Sequence, residues 1–480
     1  MEISPDELQK ILEDHAAWLR DNSTGKRANL SDADLKGANL IGADLRNATF
    51  RGANLLNANL NGANLIKADL SGAKLSRTSL RNANLSKADL SNADLSNLNL
   101  STANLSDANF NKAKLTCVNL SEIDLCGISF NNADLSGTNF KNSKLSNAHF
   151  RGAKLIQADL SGADLRHADF SPSITIISHD FSFDDDYYYD EEILNPTDLR
   201  GSDLKNANLE NANLFKADLS GANLRNAHLE NAYLANSNLI IADLSGANMT
   251  YAKLSGAKLQ RAILRNVSLF HADLSMYEGD WEKTNLTDAD LRYANLKSAN
   301  LCGAILPYAN LSFADLMDAN LSHADLRNVD FGHAILRNVN LHNADLRGAD
   351  LSNTALFSVD FTNANLKGAY GIDNFDATTR GLFPVCPMEG SFVAYKKVDD
   401  KIIVLEIPAD ARRVSGTTLK CRCDKAKVLR IENLDGKVSD KISVKYDDLD
   451  YIVGKIVSSK NFNTDRWDND GAGITFYISR

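Results

Sequence analysis

Three cysteines, Cys386, Cys421 and Cys423, are the residues of this sequence best suited to chemistry. As thiolates they could ligate zinc, but Cys-x-Cys is not the spacing of a zinc ribbon and no fourth ligand is evident. No histidine follows His342, which removes an internal Cys–His pair for thiol hydrolysis. A second cluster stands mid-chain, where Asp184, Asp185 and Asp186 run directly into Tyr187, Tyr188 and Tyr189. Consecutive carboxylates raise the question of Ca²⁺, yet the ligand spacing and turn glycine of an EF-hand are missing. The segment around them, 171–193, carries seven carboxylates and no Lys or Arg. That composition suits either a surface loop or a loop that binds a basic or aromatic-preferring protein surface, with these six residues as its contacts. The basic positions Arg412 and Arg413 and the stretch 420–430 are offset by nearby Asp, so a nucleic-acid site is not expected. No catalytic residue, cofactor site or metal site emerges with a recognisable pattern.

The elements that must carry these residues follow from a repeat. From Ala28 onward a unit of the form Ala-(Asn/Asp)-Leu-x-x recurs every five residues. The central Leu or Phe falls on 29 consecutive positions from Leu30 to Phe170, on 16 from Leu199 to Leu274 and on 17 from Leu286 to Leu366. Neither a helix nor an ordinary strand has this period. Two inward residues spaced by two, followed by turn-forming Ser, Asn or Gly, describe a chain that bends every five residues and closes a square coil after four units. Side chains 20 apart then stack on one face. In the first block Phe50, Phe110, Phe130, Phe150 and Phe170 obey that grid, and only Phe140 departs from it.

Units such as Ala33-Asp34-Leu35-Lys36-Gly37 and Ala43-Asp44-Leu45-Arg46-Asn47 resemble the pentapeptide-repeat family, over roughly residues 28–370. The resemblance implies an all-β fold, a right-handed quadrilateral β-helix with the Leu/Phe and the small residue pointing inward. At about 4.8 Å per coil, the repeats would form a rod on the order of 75 Å. Val118, Ile123, Ile128 and Val267 at the small position are expected to bulge the core locally. Ser4-Pro5-Asp6-Glu7 opens a capping box, and Leu8, Ile11, Leu12, His15 and Leu19 follow at helical spacing, so an N-terminal helix should cap the first coil, with His15 on its surface. The break at 275–285 adds two residues to the register and reads as a bulged corner whose Tyr277 and Trp281 cover the wall. After 370 the beat stops, and segments 392–395, 402–407, 427–431, 451–457 and 474–478 read as strands of a small, mostly β domain. Cys386-Pro387, Ile407-Pro408 with Arg412, Cys421-Arg422 and Gly473-Ile474-Thr475-Phe476 in this domain resemble an uncharacterised domain that often follows such repeats in phage, large-virus and bacterial proteins. The chain thus divides into a capping helix and linker (1–26), a first solenoid block (27–170), the acidic aromatic insert (171–193), a second solenoid part (194–370) and the C-terminal domain (371–480).

Some small members of the family mimic duplex DNA with an acidic rod and bind DNA gyrase, so charge must be weighed. The net charge is −10, but the solenoid holds about 31 basic against 32 acidic residues and is nearly balanced. The favoured expectation is a non-enzymatic scaffold that binds a protein partner. DNA mimicry against a DNA-handling enzyme, and an enzymatic or metal-binding activity in the C-terminal domain, are the alternatives. Scattered cysteines, no signal-peptide pattern and no long apolar run point to a cytoplasmic, reduced protein without a membrane span. Capped ends point to a monomer. Placing Asp at Leu90 should bury an unpaired charge in the tube and cost about 4 kcal/mol or more. A Leu90→Asp variant with unchanged circular dichroism and melting temperature would show that the central position does not face inward.

Overall fold

Each five-residue unit makes the same local turn. The Asn or Asp side chain accepts the N–H two residues on, as Asn29 Oδ1 does from Ser31 at 3.2 Å and Asp89 Oδ1 from Ser91 at 3.0 Å. This Asx turn pre-bends the chain. The second turn residue adopts the left-handed conformation, with φ of 58° at Asn92 and 67° at Gly52. Asn tolerates that region and Gly enters it without steric cost, which accounts for both at this position.

The computed structural model describes residues 3–177, 191–275, 283–372, 379, 386–387, 389–415, 421–434, 436–439, 443–446, 448–463 and 472–478. The chain divides into two units, Met1–Asn285 and Leu286–Arg480.

In the first unit the residue before each central Leu pairs in parallel with its equivalent four units on, as in Asp34–Asn54–Lys74–Asp94. Leu55 N donates to Lys74 O at 2.8 Å, and Asn54 N to Ala33 O at 2.9 Å. Every coil therefore satisfies the backbone of its neighbours, and four units make one turn. Leu45, Leu90 and Leu165 are fully buried, as are Ala48, Ala93 and Ala168. The expected grid is visible in the rings: Phe110, Phe130, Phe150 and Phe170 stack with centroids 5.3, 5.3 and 4.8 Å apart. Phe140, off the grid, meets Phe130 and Phe150 edge-on at 5.8 and 6.2 Å.

Of the four bulky residues expected to bulge the core, only one does. The ladder passes Val118, Ile128 and Val267 unbroken, with Asn119–Asn139, Asn109–Ser129 and Asn248–Ser268 all paired. Among the described residues it skips Asn104–Asp124 beside Ile123, and Ser79–Asn99 beside Leu98. The extra atoms of Leu98 and Ile123 must fit where a neighbouring coil would otherwise approach, whereas Val118 has Thr138, a small residue, at the equivalent place one coil on. Hydroxyls at the small position find a ready acceptor: Thr78 Oγ1 donates to Leu55 O at 2.7 Å and Thr138 Oγ1 to Leu115 O at 2.6 Å.

The first coil is closed by α1 (Pro5–Arg20), with Ser4 and Glu7 forming a reciprocal capping box and Pro5 at its first position. His15 is a correction. It is not on the cap surface but completely buried, and its Nδ1 accepts the Ala28 N–H at 3.1 Å. That amide opens the repeat array and has no preceding coil to bind, so the imidazole takes the place of a missing carbonyl. Among the described residues no helix is long and apolar enough to cross a membrane.

In the second unit the same coil runs from Leu286, with pairs from Asp290–Asn310 through Asp350–Tyr370. Its geometry outlasts the five-residue beat: Thr379 Oγ1 donates to Leu356 O at 2.5 Å, at the same chain offset as Thr138 to Leu115. Beyond lies the terminal β domain. It consists of β3 (Phe392–Val398), β4 (Lys401–Ile407), β5 (Arg413–Ser415), β6 (Cys421–Cys423), β7 (Lys425–Asn433), β8 (Ser443–Tyr446), β9 (Leu449–Ile452), β10 (Ile456–Ser458) and β11 (Ile474–Phe476). They form antiparallel sheets in the orders β10-β7-β4-β3 and β11-β6-β5, with β8 and β9 as a separate pair. The strand expected over 451–457 is two, because Gly454 turns the chain with φ of 81°. In the first unit, β1 (Ser173–Ile177) and β2 (Glu191–Asn195) stand outside the coil.

Burial pushes His15 below the ordinary histidine range, opposed by Asp44 and aided by Arg27 and Arg46. A depressed folded-state value means the unfolded chain binds the proton more readily, so the contribution is complete above about pH 6.5 and is lost as pH falls through the folded value. Melting of the helical signal should therefore shift downward between neutral pH and pH 5 in the wild type. A His15→Phe variant should lack this shift; equal shifts in both would remove His15 as the cause.

Candidate functional site

Two places depart from the uniform coil and carry unusual chemistry. The first is an arm. Lys154 pairs with Asp198 instead of position 174, the partner that the regular ladder would give it. A segment nearly five units long therefore leaves the coil, and the next coil resumes in register. The strands at its base, β1 and β2, pair antiparallel from Ser173–Asn195 to Ile177–Glu191. The exit is closed by one hydroxyl. Thr197, at the small position of the resuming coil, is fully buried and accepts the Gly152 N–H at 3.0 Å. Its Oγ1 lies 2.9 Å from Phe150 O and 3.2 Å from Ser171 O. The polar ends left by the excursion are thereby satisfied inside the wall.

Asp184, Asp185, Asp186, Tyr187, Tyr188 and Tyr189 lie outside the described residues, in the connection between β1 and β2. The arm itself was missed by sequence reasoning, which gave only a loop; the β-branched run Ile174-Thr175-Ile176-Ile177 was the available signal. Ile174 and Leu194 face each other across the ribbon and are about half exposed.

The break near 275 uses the same device. Thr284 Oγ1 accepts the Gly256 N–H at 3.1 Å and lies 3.0 Å from Leu254 O and 3.1 Å from Ser275 O. Lys258 pairs with Asn285 instead of position 278, so seven residues leave the coil here. The expected two-residue bulge undercounted by one whole unit, because a shift of seven and a shift of two look alike in a period of five. Tyr277 and Trp281 lie outside the described residues.

The second place is the terminal β domain. Arg413 pairs with Cys423, and Ser415 with Cys421, across β5 and β6, while Ile474 and Phe476 of β11 stand opposite the same cysteines. Residues opposite one another share a sheet face, so Arg413 and both thiols lie on one side. Cys386 packs on that side in the same buried cluster. Its thiol and that of Cys421 are hydrogen-bonded to each other, an interaction that, with Arg413, holds Cys386 below the usual thiol range against the effect of burial. The same contact and burial push Cys421 up, and burial pushes Cys423 up to about 12. Arg413 is itself buried. It donates through Nη1 to Pro387 O at 2.8 Å and through Nη2 to Gly390 O and Pro408 O, both at 2.5 Å. The sequence offered it only as one of two adjacent basic residues. Among the described residues no group of three or more His, Cys, Asp or Glu is arranged to hold a metal ion.

On another part of this domain, Tyr395, Tyr446, Tyr477, Lys397, Asp399 and Ile402 line a cleft of about 700 Å³. Lys396, on the opposite face, is buried and donates to Thr475 Oγ1 at 2.6 Å, with its ammonium 4.8 Å from the Tyr446 ring centroid.

Pentapeptide repeats (8 copies) match residues 28–171, 194–266 and 278–370, and a family of unknown function, DUF5758, matches 383–480. Among solved structures, HetL, a pentapeptide repeat protein involved in heterocyst differentiation regulation from the cyanobacterium Nostoc sp. strain PCC 7120, is similar at 30% identity. The match covers 55% of this chain and 89% of that one, with a TM-score of 0.22. QnrB1, a plasmid-mediated fluoroquinolone resistance protein, is 20% identical over 50% of this chain and 89% of that one, with a TM-score of 0.25. Rfr23 from the cyanobacterium Cyanothece 51142 is 29% identical over 26% and 89%, with a TM-score of 0.15. No curated protein matches this chain.

Removing 172–195 should restore the five-residue beat, provided Pro196 is also changed. It would fall on the second turn position, where His167 and Gly201 have φ of 57° and 64°, closed to proline. The deletion with Pro196→Asn should fold with stability within about 1 kcal/mol of the parent. The same deletion retaining Pro196 should be clearly less stable; no difference between them in chemical denaturation would contradict the turn assignment.

Proposed function

The chain belongs to the pentapeptide-repeat family, and from that premise we propose that it is a non-enzymatic scaffold whose coil mounts an acidic, aromatic arm for a basic protein partner. The observation that carries this reading is the exit geometry: the chain departs after Asp169 and is back in the ladder at Asp198, while the coils on either side stay paired. An arm rooted in a satisfied wall presents its tip without the entropy of a free loop. Asp184, Asp185 and Asp186 supply charge for long-range steering, and Tyr187, Tyr188 and Tyr189 supply the contact area that protein interfaces favour. The six free cysteines suit a cytoplasmic setting, and the reading takes the protein as a monomer.

The competing class, an acidic mimic of duplex DNA, is disfavoured by how charges stack. One column of the first unit reads Asp94, Lys114, Asp134, Lys154, Asp198, Asp218, with Lys114 facing Asp94 at 3.9 Å. Several other repeat aspartates have an arginine within reach, as Asp164 with Arg166 and Asp198 with Arg200, both at 2.7 Å. A phosphate backbone has no such alternation. Activity in the terminal β domain is the remaining alternative.

Affinity capture from native lysate should recover a partner with the full chain and lose it when Asp184, Asp185 and Asp186 are changed to Asn. The captured complex should also weaken about tenfold or more from low to high salt, since exposed charges are screened. A partner retained by the triple Asn variant would remove the arm from the mechanism. Inhibition of DNA supercoiling by the purified chain at micromolar concentration would favour mimicry instead.

A further inference from the structure

The terminal β domain holds two thiols in contact with each other and a buried cation fixed beside them. Cys386 and Cys421 share a hydrogen bond although they are distant in the chain, so the fold itself brings the sulfurs together. Arg413 stands on the same sheet face as Cys421. Its guanidinium grips the backbone on the far side of Cys386 through Pro387 O and Gly390 O. Its Nε is buried with no hydrogen-bond partner among the described residues, so the cation retains an uncompensated donor within the thiol cluster. Cys423 lies on the same face, yet burial and Asp424 oppose its ionisation. One thiol is thus favoured as thiolate and its immediate neighbour keeps its proton.

We propose that Cys386 and Cys421 are an oxidation site, a dithiol that a peroxide converts to a disulfide bridging the loop before β3 to the central strand β6. Attack of the Cys386 thiolate on one peroxide oxygen breaks the O–O bond and yields a sulfenic acid and hydroxide. Cys421 then attacks that sulfur, the S–S bond forms, the S–O bond breaks, and its proton leaves with the departing hydroxide as water. In sum two thiols and one hydrogen peroxide give one disulfide and two waters; sulfur is oxidised and peroxide oxygen is reduced. Arg413 acts as a positioning residue, holding the loop so that the two sulfurs need close only the gap between hydrogen-bond contact and a bond of about 2.05 Å. Cys421 and Cys386 are inside the domain core, which limits the oxidant to a molecule as small as hydrogen peroxide. Cys117 and Cys126, exposed on the coil, lack both a thiol partner and a buried cation. This inference stands apart from the arm and does not depend on it.

The experiment uses the full chain, treated with sub-millimolar hydrogen peroxide, alkylated in denaturant and mapped by peptide mass spectrometry. The expected product is a Cys386–Cys421 linked peptide, two mass units lighter than the sum of its parts and abolished by dithiothreitol. Arg413→Lys should slow its formation about tenfold, with the folded circular dichroism signal retained. Cys421→Ser should stop the reaction at a Cys386 sulfenic acid captured by dimedone. Peroxide treatment that modifies Cys117 or Cys126 while Cys386 and Cys421 stay fully alkylatable would overturn the proposal, as would a Cys421→Ser chain with no dimedone adduct at Cys386. Because the wild-type result needs no variant, a misfolded mutant cannot rescue the idea.

Discussion

The width of the coil governs nearly everything else. One side of the square leaves space for one large and one small inward side chain, and the backbone amides must meet the coil four units away. Leu or Phe with Ala meets both demands, which is why fully buried Leu45 and Ala48 recur as a pair along the array. The polar positions follow from the same limit, since only an Asx side chain that accepts the N–H two residues on bends the chain sharply enough to begin the next side. Coils touch only their neighbours, so the ends become separate problems. His15 accepting the first orphaned amide and Thr379 continuing the hydroxyl-to-carbonyl contact past the last repeat are answers to them.

How much could be read from the sequence tracks how local the cause is. The coil period, the inward faces and even the Phe110–Phe170 stack were legible because each is set by spacing alone. The helix Pro5–Arg20 was legible from its capping box. His15 was not, because its role depends on meeting Ala28 after a turn that helical periodicity cannot see. β5, β6 and β8 are three or four residues long, too short to show an alternation. Arg413 gained its role from loop carbonyls at 387, 390 and 408, contacts that come from tertiary folding. The pairing of Cys386 with Cys421 is of the same kind: the three cysteines stood out by type, and only the folded domain showed which two meet and which cation sits beside them.

The two units place their unusual chemistry differently. In the first unit, the wall is chemically quiet, with carboxylates answered by neighbouring basic groups at the surface, where such pairs contribute little to stability. Its departure is geometric, an arm that exits and returns. In the terminal β domain the departure is electrostatic. Lys396 and Arg413 are both buried, each held by neutral oxygens and an aromatic face. Buried cations are costly unless their surroundings are fixed, and their presence concentrates specificity in that small fold.

The threonine closure at the two exits has a bearing on how such chains can change over time. Thr197 and Thr284 meet the same three groups: a glycine amide one coil back, the carbonyl of the central residue ahead of that glycine, and the carbonyl of the serine where the chain departs. One excursion is more than three times as long as the other, so the seam is indifferent to what is threaded through it. A lineage can therefore acquire, lengthen or discard appendages at such seams while its lattice of coils is inherited unaltered. A serine after one central residue, a threonine two before the next and a glycine at the turn beneath form a genomic signature by which the docking points of other repeat arrays can be found.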